Sequence, residues 1–350
     1  EQCTDLLFQI ADLTRQRLLR DEETGRGTGE VPLFGDHRKV TELPHGDVHP
    51  GTITRAPVVD TCSPVPTAPT LGGVDVPELV RLLDGRRVAV LTGAGLSTDS
   101  GIPDYRGPDS PPSNPMTIRQ FTSDPVFRQR YWARNHVGWQ HMHDTLPNAG
   151  HRALAELERV GIVTGVITQN VDLLHTKAGS QTVVNLHGTY AQVVCLACGS
   201  TLTRAQLADE LEELNPGFVE RAEAVGGIAV APDADATVEE TSSFRYVDCP
   251  RCDGMLKPDI VYFGENVPKD RVAQAYSLVD DADALLVAGS SLTVFSGLRF
   301  VRRAATAGQP VAIINRGPTR GDPLATIKLD AGCSELLVLL ADELSAISAR

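Results

Sequence analysis

The chain has no run of 18 apolar residues, so no segment is built to cross a bilayer as a helix. It also lacks a basic stretch followed by an apolar one, the pattern of a secretory leader. Positive charge is in short supply: 32 Lys and Arg face 45 Asp and Glu, for a formal net charge of −13. That balance argues against a broad nucleic-acid surface, and it fits a basic partner or a merely solvated acidic surface equally well. Lysine is rarer still, five against 27 arginines, a bias that reflects a GC-rich genome more than a function. A disulfide framework is missing too. Four of the seven cysteines form two tight pairs, Cys195/Cys198 and Cys249/Cys252, and in a chain of 350 residues this reads as metal binding in a reducing compartment. The expected location is therefore cytoplasmic, with no membrane and no direct nucleic-acid partner.

What is present divides the chain in two. Residues 1–72 hold a weak helical stripe, a polar stretch and a Pro/Thr-rich linker, and no activity is assigned to them. From residue 73 the pattern changes. Asp75 opens a helix, with Pro77 in the first turn and Glu78 at the capping-box position. Four apolar runs follow at wide spacing: Val88–Leu91, Val163–Ile167, Ala284–Ala288 and Val311–Ile314. Amphipathic stretches near 150–160, 270–279, 297–307 and 334–348 alternate with them. Continuous apolar strands between helices imply an α/β fold, a parallel sheet with helices on both faces. Two segments break the rhythm. Residues 188–260 carry the cysteine pairs and read as a small inserted metal-binding module; its acidic, Ala-rich stretch Ala229–Ser243 is expected to be an exposed loop. Residues 108–147, with Trp132 and Trp139, read as a second, mostly helical insertion.

Two CxxC pairs present four sulfurs that can hold one Zn²⁺ tetrahedrally. A closed four-cysteine site leaves no open position for a substrate, which makes it structural. Two disulfides are the competing reading, and a nucleic-acid-binding zinc ribbon is disfavoured by the acidic balance.

The strands end in small and polar residues: Thr92-Gly-Ala-Gly95, Thr168-Gln-Asn-Val-Asp172, Gly289-Ser-Ser291 and Asn315-Arg-Gly317. In an open parallel sheet, ligands sit beyond the carboxyl ends of the strands. Four such ends favour a dinucleotide crevice, although Thr98 stands where the third glycine of GxGxxG would be. The Pro103-Asp-Tyr-Arg106 loop that follows is unlike a dehydrogenase and points to a cofactor that is itself cut.

Taken in order, Gly93 to Arg106, Thr168 to Asp172, Leu186-His-Gly188, the two cysteine pairs, Gly289-Ser-Ser-Leu292 and Ile314-Asn315 resemble the sirtuins, NAD-dependent protein-lysine deacylases. The resemblance runs from about residue 74 to the C-terminus. Arg128–Arg134, His175–Ser180 and Gly317–Arg320 are similar to the class II branch. It implies a Rossmann-like domain, a zinc module and a cleft between them that admits NAD and an acyl-lysine protein or peptide.

By that resemblance, Gly93, Ala94, Gly95 and Ser97 approach the NAD phosphates, and Asp104, Tyr105 and Arg106 form the cofactor loop. Gln169, Asn170, Val171 and Asp172 line the nicotinamide and ribose pocket. Gly289, Ser290, Ser291, Asn315, Arg316 and Gly317 hold the adenosine half, with Cys333 beside the adenine; a redox thiol is the alternative for Cys333. Val261, Phe263, Gly264 and Glu265 offer their backbone to the peptide as an added strand. His187 is the implied catalytic base, drawing a proton from the ribose so that the sugar oxygen captures the acyl group and yields 2′-O-acyl-ADP-ribose. A protein mono-ADP-ribosyltransferase and a non-catalytic NAD sensor on the same scaffold remain the alternatives. Arg128, Arg130 and Arg134 either shape the acyl pocket, where they would favour acidic acyl groups, or form a solvated basic face.

Overall fold

The computed structural model describes residues 75–107, 110, 115–226 and 228–348. The expectations for residues 1–72 lie outside these. After helix α1 (Val76–Leu83), capped by the Asp75 carboxylate on the Glu78 amide, come β1 (Val88–Thr92), α2 (Ile118–Ser123), α3 (Pro125–Asp144), α4 (Ala149–Arg159) and β2 (Val163–Thr168). Then follow α5 (Leu174–Ala178), β3 (Val183–Asn185), β4 (Gly188–Cys195), β5 (Thr201–Thr203), α6 (Arg204–Leu214), α7 (Phe218–Val225) and β6 (Leu256–Ile260). The chain closes with α8 (Lys269–Asp280), β7 (Ala284–Ala288), α9 (Phe295–Thr306), β8 (Val311–Ile314), β9 (Ile327–Leu329) and α10 (Cys333–Ser348).

Six strands form one parallel sheet in the order β3-β2-β1-β7-β8-β9. Chain order turns back at β1/β7, the switch point at which such sheets open a crevice. The strand residues explain the burial. Val88 and Val90 face a core built with α1, α4 and α10, whereas Ala89 and Leu91 face a second core built with α8 and α9. The same alternation holds in β7 and β8. Because neither face meets water, period-two alternation in polarity vanishes and the strands read as unbroken apolar runs.

The two insertions share a third core. Phe121, Tyr131 and Trp132 from α2 and α3 pack with Leu207, Leu211, Phe218 and the antiparallel sheet β5-β4-β6. Of the acidic stretch expected to be an exposed loop, residues 230–236 join that core, while Thr237, Glu239, Glu240, Ser242 and Ser243 are exposed as expected. Val230 and Ala236 pair as an antiparallel bridge, and Ala234, Asp235 and Ala236 are buried. The physical reason is a long-range clamp. Arg134 meets Asp235 at 2.8 Å and donates Nε–H to the Ala236 carbonyl at 2.8 Å. A Cβ on Gly138 of α3 would lie 2.1 Å from the Ala234 carbonyl oxygen, so only glycine lets the hairpin seat. Gly138→Val should therefore cost about 3 kcal/mol despite a better helix propensity than glycine's. Denaturant unfolding at an unchanged midpoint would show that the hairpin does not rest on α3.

No helix among the described residues is long and apolar enough to cross a membrane.

Candidate active site

A cleft of about 870 Å³ runs along the carboxyl ends of the parallel strands and on toward the third core. The strand-end residues expected to meet a dinucleotide all line it: Gly93, Ala94, Gly95, Ser97, Asp104–Arg106, Gln169–Asp172, Gly289–Ser291 and Asn315–Gly317. His187 and the strip Val261, Phe263, Gly264 and Glu265 line it as well. Cys333 does not. Its thiol is buried behind the wall, 3.6 Å from the Ile314 carbonyl, and burial pushes its pKa up to about 12. A reactive thiolate needs the opposite shift.

His187 follows β3 and immediately precedes β4. A Cβ on Gly188, whose φ is +83°, would fall 1.8 Å from the Asp259 carbonyl, so glycine is what lets the chain turn there against β6. The His187 carbonyl in turn accepts the Val261 amide at 2.8 Å. Nδ1 lies 2.9 Å from the Gln169 carbonyl, which can only accept; Nδ1 therefore carries the proton. Nε2 is left with a lone pair and accepts from the Ser296 hydroxyl at 2.9 Å. Burial lowers the His187 pKa to about 4, only partly offset by the Gln169 bond, so the imidazole is neutral at pH 7.

The strand ends form one buried polar network. Ser97 donates to Asp172 at 2.6 Å, and the Leu174 amide donates to the other carboxylate oxygen at 3.0 Å. Burial pushes the Asp172 pKa up against these bonds. Asn170 reaches the Gly93 carbonyl and Ser97, while Gln169 reaches the Thr92 carbonyl and Ser290. Leu173, at φ +61°, holds the left-handed turn beside them, a conformation costly outside glycine. Amides and hydroxyls around one buried carboxylate are the donor set that ribose hydroxyls and a carboxamide require. Asp104 has a different task. Although burial raises its pKa, bonds from Ser110 and from the Gly107 and Arg106 amides bring the carboxyl below its usual value. Its Oδ1 is occupied in shaping the loop.

Cys195, Cys198, Cys249 and Cys252 carry free thiols within 4.8 Å of one another. Cys195 and Cys252 are 3.5 Å apart, and Cys198 and Cys249 3.9 Å. A tetrahedron of ~2.3 Å Zn–S bonds has edges of about 3.8 Å, so one zinc ion fits these ligands.

Of the arginines weighed for an acidic acyl group, Arg134 has its charge matched by Asp235, Arg128 binds the Phe121 carbonyl at 3.2 Å, and Arg130 is exposed. Sequence reasoning missed Ser296, which sits five residues beyond a Gly-Ser-Ser turn, and Asp233, which looked like surface charge.

Two histidines below the network set an acid limit. His151 and His175 stack edge to face at 4.9 Å between their ring centres, and both are buried. Burial lowers His151 to about 4 and His175 well below its usual value. Their folded forms bind a proton more weakly than the unfolded chain, whose histidines titrate near 6.5. Stability is thus intact above about pH 6.5 and falls as the pH drops toward 4; a group brought to about 4 contributes on the order of 2 kcal/mol of loss by pH 5. His151→Gln should start less stable at pH 7 and lose less on acidification. Parallel melting curves for both proteins across pH 7 to 5 would remove His151 from this account.

Residues 93–296 match the Sir2 family. The chain is 76% identical over 278 residues to NAD-dependent protein deacetylase 1 of Mycobacterium avium (strain 104), covering 79% of this chain and 99% of that one. It is 46% identical over 284 residues to the Bos taurus NAD-dependent protein lipoamidase sirtuin-4, mitochondrial, covering 79% of this chain and 89% of the relative. Among solved structures, one described as "Sir2-p53 peptide-NAD+" superimposes with a TM-score of 0.61 at 31% identity, over 78% of this chain and 99% of the other. The six-stranded parallel sheet, the cleft beyond it and these similarities lead to one conclusion: the chain belongs to the Sir2 family, the sirtuins.

Proposed function

We propose that the chain is an NAD-dependent protein-lysine deacylase in which His187 is the general base. The observation that carries this reading is the fixed tautomer of His187, with Nδ1–H held by the Gln169 carbonyl and the basic Nε2 turned toward the cleft side at Ser296. A neutral imidazole is competent to take a proton at physiological pH. When bound, NAD⁺ supplies the ribose carbon that nicotinamide leaves and the hydroxyls that capture the acyl group.

The chain's own residues do the rest. Ser97, Asn170 and Asp172 orient ribose and carboxamide through a network that is already made before the ligand arrives. Gly93, Ala94 and Gly95 face the phosphates, and Gly289–Ser291 with Asn315–Gly317 hold the adenosine half. The strip 261–265 pairs with the peptide backbone. Glu265 stiffens it, accepting the Tyr262 amide at 2.9 Å and pairing with the buried Lys257 at 3.0 Å. Across the cleft Tyr105 meets Phe263 edge to face at 6.2 Å, which joins the cofactor loop to the strip. Cys195, Cys198, Cys249 and Cys252 hold a structural zinc. Removal of an acyl group is what the names of the two curated relatives share. A cytoplasmic location without nucleic-acid or membrane partners is part of this reading, and the net charge of −13 fits a surface that does not bind nucleic acid broadly.

Incubation with NAD⁺ and an acetyl-lysine peptide should yield nicotinamide, the free lysine peptide and O-acyl-ADP-ribose by mass spectrometry. ADP-ribose fixed to protein would move the assignment to a mono-ADP-ribosyltransferase. NAD⁺ binding without products would leave a sensor.

A further inference from the structure

We propose that Asp233 is a specificity residue that selects acyl-lysines whose acyl tail ends in a hydrogen-bond donor and turns away tails that end in a carboxylate. The inference rests on the deacylase reading above and names the substrates of the same cleft.

Asp233 sits in the hairpin that Gly138 and Arg134 hold against α3, so it is carried by the third core and not by the strand ends. It lines the cleft together with Ile102, Tyr105, Met116 and Tyr262. Tyr262 belongs to the peptide strip, and Met116 directly precedes Thr117, which bridges Phe263. Asp233 therefore lines the part of the cleft where the peptide strip meets Tyr105 of the cofactor loop.

One carboxylate oxygen of Asp233 is buried with no hydrogen-bond partner, and so is the hydroxyl of Tyr190. Tyr105, Tyr131, Tyr190 and Tyr262 all lie close enough to feel the Asp233 charge. Burial pushes the Asp233 carboxyl up, and Arg134 opposes this only in part because it also pairs with Asp235 at 2.8 Å; the buried Arg204 bonds Asn135 at 3.1 Å and stacks on Trp139. A buried acceptor without a donor is costly, and a ligand that brings the donor recovers that cost. An ammonium or hydroxyl at the end of an acyl chain does so. A second carboxylate brings like charge into a site with low dielectric, where Arg134 already pairs with Asp235.

The test uses peptides of one sequence whose lysine carries pentanoyl, 5-hydroxypentanoyl, 5-aminopentanoyl or glutaryl groups of equal backbone length, with acetyl as reference. In the parent protein kcat/KM for the aminopentanoyl peptide should exceed that for glutaryl by at least about tenfold, with hydroxypentanoyl at or above pentanoyl. Asp233→Asn should shrink the amino-to-glutaryl ratio by at least about fivefold, mainly through KM. Glu240→Gln, which removes an exposed charge of the same segment, should leave that ratio as it was. Glutaryl turned over as well as aminopentanoyl by the parent protein would overturn the inference even if Asp233→Asn failed to fold, and so would an unchanged ratio in a folded Asp233→Asn. If no peptide, acetyl included, released nicotinamide, the deacylase reading would fail first and this one with it.

Discussion

Replacement of His187 with alanine should cut acyl-lysine-driven nicotinamide turnover by about a thousandfold, the middle of the range for a lost general base. NAD⁺ affinity, measured by calorimetry, should stay within a few fold. The two expectations separate because His187 touches the network that faces the dinucleotide only through the Gln169 carbonyl, at 2.9 Å. Gln169 keeps its other anchors on Thr92 and Ser290. Water can enter the space left at the cleft floor and satisfy both the Gln169 carbonyl and the Ser296 hydroxyl. Turnover within tenfold of the parent would place the base elsewhere. A collapse of NAD⁺ binding would show that the imidazole holds the cofactor and is not simply waiting for a proton.

Cys249→Ser should release the zinc and lower the melting temperature by roughly 10 °C or more, since a structural zinc contributes its binding energy to folding. Cys249 is 1% exposed, and its knuckle closes through an amide bond to the Gly254 carbonyl at 2.8 Å. Beside the thiols, this segment is tied to the end of β4 by the Leu196 amide on the Met255 carbonyl at 2.9 Å. Elemental analysis of the purified parent should give one zinc per chain. A metal-free variant that melts with the parent would show that the four thiols are not a cage the fold depends on.

The central strands were legible because burial on both faces leaves nothing for polarity to alternate with. Val88–Leu91 and Ala284–Ala288 are apolar throughout for that reason. Strands β3 and β9 were not read, being three residues each and only partly buried at the sheet edges. The acidic hairpin was misread because what buries Asp235 is an arginine about a hundred residues away. Composition within the segment carries no trace of that partner, and Gly138, the residue that makes room for it, looks like any helix glycine. Ser296 escaped for a similar reason: its hydroxyl matters only because an imidazole 109 positions earlier points at it. The cysteine pairs, by contrast, sit in two short local patterns, whereas Leu186-His-Gly188 is unspecific alone and stood out only within the ordered set of motifs.

His187 and Cys195 bracket a single eight-residue strand, Gly188–Cys195. Fully extended, a run of that length spans at most about 25 Å, and a register shift between Gly188 and Val193 shortens it, so the cage and the imidazole share one irregular strand. The cage and the cleft are thereby joined by one segment of backbone, so the order of the four sulfurs bears on where the imidazole sits.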